Sequence, residues 1–122
     1  MSLLLPFVMM LSSPVLLPGG EDGVDQELTC EVGPVDREYG GSAFSIYSCD
    51  DGKSVIAVAK PRSRVYPFYF IVSPQGGEVR LYGEGDGDVE ASHDAFRDLN
   101  RFKPADVAAL VSATRALASA ER

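Results

Sequence analysis

Between Gly41 and Glu84 the chain is cut by three short breaks, DDGK, PRSR and PQGG, into four runs: SAFSIYSC, SVIAVAK, VYPFYFIVS and EVRLYG. Each run is rich in β-branched and aromatic residues and alternates with a period near two. Side chains in a strand point to opposite faces in turn, so this pattern specifies strands joined by turns and excludes a helix over the same residues. Everything else in the chain has to fold around that sheet.

The first hairpin is the best-defined local expectation. Asp51-Gly52 suits a two-residue type I′ turn, because both central positions need positive φ. That turn pairs Ser48 with Val55, Ile46 with Ala57 and Phe44 with Ala59. Tyr47 then meets Ile56, and Ser45 meets Val58, on the other face. Both faces are partly apolar, and one of them has to receive further elements. A second hairpin is expected at Pro74-Gln75-Gly76-Gly77, with Val79 and Leu81 inward and Glu78, Arg80 and Tyr82 outward. In VYPFYFIVS the alternation sets Tyr66, Phe68 and Phe70 on one face and Val65 and Tyr69 on the other. Pro67 cannot donate to a ladder and suggests an edge or a bulge.

On the N-terminal side, Glu27–Val32 (ELTCEV) reads as a short strand with Leu28, Cys30 and Val32 on one face. Gly33–Gly41 (GPVDREYGG) reads as a loop or irregular edge. On the C-terminal side the period changes. Ser92–Phe102 places Ala95, Phe96, Leu99 and Phe102 on one stripe. Pro104 fits the first position of a second helix, with Asp106 in its first turn and Val107, Leu110, Val111, Thr114 and Leu117 at spacings of three and four. The expected fold is therefore α+β: an antiparallel β-meander of four to five strands followed by two C-terminal helices packed on one face.

Residues 1–18 carry no charged side chain and hold a short apolar core interrupted by Pro6, Pro14 and Pro18. The prolines argue against a stable spanning helix. A secretory leader covering residues 1–20 is expected instead, although no Lys or Arg precedes the apolar core and no A-x-A-like cleavage site follows it. An uncleaved apolar N-terminal segment is the alternative. Residues 21–122 then form a single small α+β domain, periplasmic or secreted, with no membrane span remaining. Cys30 and Cys49 fall short of a four-ligand metal site. As a disulfide they close a loop of about 20 residues, worth roughly 3 kcal/mol in the chain-entropy model. The net charge of −7 argues against a nucleic-acid partner, which would need a basic face.

Four groups could carry chemistry. Glu84, Asp86, Asp88 and Glu90 alternate with small residues as oxygen ligands for a divalent cation often do, yet the stretch fails the EF-hand pattern at its first, glycine and last positions. Its bland reading is a solvated loop preceding a helix. His93, with Asp94 and Asp98, is the lone imidazole of the chain. A hydrolytic set would need Ser45, Ser48 or Ser92 beside it, and no catalytic motif is present. The basic connector Lys60, Arg62 and Arg64, with Arg80, could meet an acidic partner, or simply solvate a turn. Of the aromatic group Tyr66, Phe68, Tyr69, Phe70 and Tyr82, one strand face packs in the core, and the other, with Tyr82 and Tyr47, could face a partner, as tyrosines often do, or pack in a second layer.

The segment YSCDDGKSVIAVA resembles the small disulfide-linked β-proteins that inhibit bacterial lysozymes. The resemblance covers about a dozen residues, and those inhibitors are essentially all-β where the last 30 residues here read as helical. It implies an inhibitor-like protein of the bacterial envelope. The functional expectation is a small exported protein-binding module, inhibitor- or immunity-like, non-enzymatic and without a cofactor. Its expected contact residues are Lys60, Arg62, Arg64, Tyr66, Arg80 and Tyr82. The alternative is a small enzyme or metal-binding envelope protein using the acidic loop 84–90 and His93.

Overall fold

The computed structural model describes residues 28–120; the expected leader and the Gly-rich linker after it lie outside them. The chain forms strands β1 (Val32–Tyr39), β2 (Ser42–Ser48), β3 (Val55–Ala59), β4 (Phe68–Gln75) and β5 (Glu78–Gly85), then helices α1 (Val89–Leu99) and α2 (Pro104–Ala120). The five strands make one sheet in sequence order, each antiparallel to its neighbour. The fold is α+β, as the change of period along the chain indicates. Among the described residues no helix is long and apolar enough to cross a membrane.

The β2–β3 register is the expected one at all five pairs, from Phe44–Ala59 to Ser48–Val55. The connection is longer than two residues, however. Cys49 N–H still donates to Ser54 O at 2.9 Å, and Gly52 N–H closes a turn onto Cys49 O at 3.1 Å. Asp51 explains the difference, because its carboxylate collects the Lys53 and Ser54 amides and the Ser54 hydroxyl instead of leaving them to water. A loop symmetric about Asp51-Gly52 preserves the register either way. The second hairpin departs in the opposite sense: Gln75 pairs with Glu78, and Gly76-Gly77 alone makes the turn, both at positive φ. Pro74 lies within β4, opposite Val79.

The N-terminal expectation is corrected. Leu28–Glu31 has no regular structure, and the strand is formed by residues read as a loop. β1 is an edge strand with an irregularity between Val32 and Val35 and three consecutive charges, Asp36, Arg37 and Glu38. An edge buries little, so its sequence need not alternate, and the charges discourage pairing with another chain. The Cys30–Cys49 disulfide forms, tying the segment before β1 to the end of β2.

The helices cover the face carrying Phe44, Ile46, Val55, Ala57, Phe70 and Val72. α1 contributes Ala91, Ala95 and Leu99, and α2 contributes Val107, Leu110 and Val111. Each large side chain so buried contributes about 1.5–3 kcal/mol. Between sheet and helix sits one buried polar pair: Thr114 Oγ1 lies 2.8 Å from Ser48 Oγ. Two details of α1 differ from expectation. It starts at Val89 rather than Ser92, because Asp88 caps it by accepting from the Ala91 amide. It ends at Leu99, so its buried stripe is Ala91, Ser92, Ala95 and Leu99, and Phe96 is 42% exposed. Phe102 packs against the core from the connection, edge-on to Tyr39.

Candidate binding face

With the helices on one side, no other described element covers the opposite face of the sheet. Period-two alternation decides what it shows: Tyr47 from β2, Ile56 and Val58 from β3, Tyr69 and Ile71 from β4, and Arg80, Tyr82 and Glu84 from β5. Tyr82 is 54% exposed and Tyr66, in the connection before β4, is 48% exposed. The alternation read back from β4 fails at Val65 and Tyr66. The strand begins only at Phe68, and two turns, Ser63 N–H to Lys60 O and Tyr66 N–H to Ser63 O, precede it. Val65 is consequently core and Tyr66 is not.

The stretch Gly83-Glu84-Gly85-Asp86-Gly87-Asp88 is explained by close backbone approach. A Cβ on Gly83 would come within 2.9 Å of the Phe68 and Phe70 rings; one on Gly85, at φ 151°, within 2.3 Å of Pro67 O; one on Gly87 within 1.7 Å of Val65 O. Every second residue has to be glycine because that side presses on β4 and the connection leading into it. The acids occupy the alternate positions. Asp86 N–H donates to Pro67 O and Asp88 N–H to Arg64 O, locking the two segments together. Thus the pattern read as possible metal ligands is a strand end and its continuation into the helix, and its carboxylates fall on different elements. Glu84 lies in β5, Asp88 is a helix cap, and Glu90 is in the first turn of α1. Among the described residues no three metal-binding side chains gather.

Glu84 is instead the centre of a tyrosine cluster. Its Oε1 accepts from Tyr82 OH at 2.7 Å and from Tyr69 OH at 3.2 Å, and the two rings lie 6.4 Å apart. Both phenols are held above the usual tyrosine range: Tyr69 by partial desolvation and then by Glu84, Tyr82 by its hydrogen bond to Glu84 and that carboxylate's charge. Beside the cluster lies an open groove of about 410 Å³ lined by Ile56, Val58, Tyr66, Tyr69, Glu84 and Asp86 among others.

The basic residues are not gathered on this face. Lys60 pairs with Asp36 at 2.8 Å and Arg64 with Asp88 at 2.9 Å. Those two, with the exposed Arg62, border a separate polar hollow between the β1–β2 turn and α1. Arg80 is on the open face, opposite Ser73. Of the six expected contact residues, Tyr66, Arg80 and Tyr82 share the open side and the connector residues do not.

Comparison of the chain with protein-family models, curated proteins and solved structures returned no match. The site therefore has to be judged on its own geometry. His93 is exposed on α1, in the helix layer, beside Glu90, Asp94 and Arg97. Of the serines considered with it, Ser48 is bound to Thr114, Ser92 donates to Val89 O, and Ser45 lies on the far side of the sheet. Asp98 accepts from the Gly40 amide and Asp94 pairs with Arg97. Sequence reasoning missed Ile56, Val58 and Glu84 as neighbours on an open face. The alternation that places them was legible, but which face the helices leave open was not.

Proposed function

We propose that this chain is a small protein-binding module of inhibitor or immunity type, acting in the periplasm or outside the cell, whose contact surface is the helix-free face of the sheet. The observation that carries this reading is the set of partly exposed Tyr66, Tyr69 and Tyr82 flanking a groove on a rigid, disulfide-tied sheet. Tyrosine offers a large apolar ring and a polar tip at low entropic cost, and a preformed sheet loses little freedom on binding. Export rests on the disulfide, which persists in oxidising compartments, together with the uncharged, largely apolar composition of residues 1–18.

The test uses the oxidised protein immobilised and exposed to envelope and extracellular extracts of its source. The expected result is one stoichiometric protein retained by the wild type, lost with Tyr82→Ser or Val58→Asp, and kept with Arg62→Ser in the hollow on the other side. No retained protein, or retention that ignores the open-face substitutions in variants of unchanged circular dichroism, overturns the reading.

A further inference from the structure

We propose that the groove beside Glu84 receives a basic side chain, arginine or lysine, of the protein partner; this rests on the reading above and specifies its chemistry. Three features of the groove converge on a cation with an apolar stem. Its lining includes the aliphatic Ile56 and Val58, which suit methylene groups. Its lining also carries two carboxylates, Glu84 and Asp86, and no cationic residue among the described ones. Of the connector cations, Lys60 is paired with Asp36 and Arg64 with Asp88. Charge complementarity therefore favours a positive group entering from outside.

Glu84 is also oriented for the task. Both tyrosine hydroxyls donate to Oε1, which fixes the carboxylate and leaves Oε2 without a donor among the described residues. Tyr69 and Tyr82 line up beside that carboxylate, and Tyr82 is 54% exposed, so an aromatic ring lies near the position a guanidinium or ammonium would take. Because the carboxylate is exposed, one such contact is weak by itself, and the remaining affinity comes from the surrounding face.

The experiment is an amide NMR titration of the full oxidised chain with the capped peptide Gly-Gly-Arg-Gly-Gly, and with the same peptide carrying neutral citrulline in place of arginine. The expected result is shifts confined to residues around Val58, Tyr69 and Gly85 for the arginine peptide, absent for the citrulline peptide and suppressed by salt. Glu84→Gln keeps an oxygen acceptor for the two tyrosines, so the cluster stays folded, and it should weaken the arginine peptide by about threefold. Equal binding of the citrulline peptide, no shifts at the groove, or undiminished binding to E84Q overturns the inference. If that happens while Tyr82→Ser still releases a captured partner, the basic-side-chain inference falls and the open-face reading stands.

Discussion

Replacing Thr114 by valine removes one oxygen from the interior and almost nothing else. Thr114 has no exposed surface and Ser48 is 1% exposed. Thr114 Oγ1 lies 2.8 Å from Ser48 Oγ and 2.8 Å from the Val111 carbonyl oxygen, so one hydroxyl joins the helix to β2 and to its own preceding turn. Valine has the same shape but leaves the Ser48 hydroxyl buried without a partner, at a cost of about 1–3 kcal/mol. For a domain of this size that lowers the melting temperature by about 10 °C. Ser48→Ala alone should cost less, since Thr114 keeps the Val111 carbonyl. The double variant should be no worse than Thr114→Val, because the orphaned hydroxyl is gone; the resulting coupling is on the order of 1 kcal/mol. Thermal and urea unfolding of the four proteins, followed by circular dichroism, measures the cycle. Strictly additive losses, or a Thr114→Val protein as stable as the wild type, would refute the claim that this pair joins helix to sheet.

Two further outcomes follow from named contacts. Reducing the Cys30–Cys49 bond, or replacing both cysteines by alanine, frees a loop of about 20 residues and should cost roughly 3 kcal/mol, read as a lower urea midpoint; an unchanged midpoint contradicts it. Asp51 is held below the usual carboxylate range: partial burial opposes this, but hydrogen bonds from the Ser54 side chain, the Lys53 and Ser54 amides and the nearby Lys53 charge outweigh it. A depressed folded pKa means its stabilisation is complete above the unfolded value of about 3.9 and is lost as pH falls through the folded one. Asp51→Ala should thus be less stable than wild type at neutral pH by about 1 kcal/mol, and the gap should close under acid; a gap that persists or widens at low pH rules this out.

Local pattern determined the strands β2 to β5, the register of the first hairpin, the two helices and the disulfide partners, because each depends on side-chain period or on turn chemistry within a few residues. Asp51-Gly52 centred its loop correctly even though the loop proved longer, and Pro104 began its helix as its fixed φ requires. Several features were decided only by tertiary packing. Edge position made Val32–Tyr39 a strand without regular alternation, since one neighbouring strand supplies its hydrogen bonds and only Val35 and Tyr39 reach the core. Close approach of Gly83, Gly85 and Gly87 to the Phe68 region turned an acidic, ligand-like spacing into a packed strand end. Two ion pairs withdrew Lys60 and Arg64 from the open face. Above all, the sequence made both faces of the β2–β3 hairpin partly apolar, and only the packing of α1 and α2 determined which of them stayed open. That choice depends on the fit of whole layers, which no window of neighbouring residues contains.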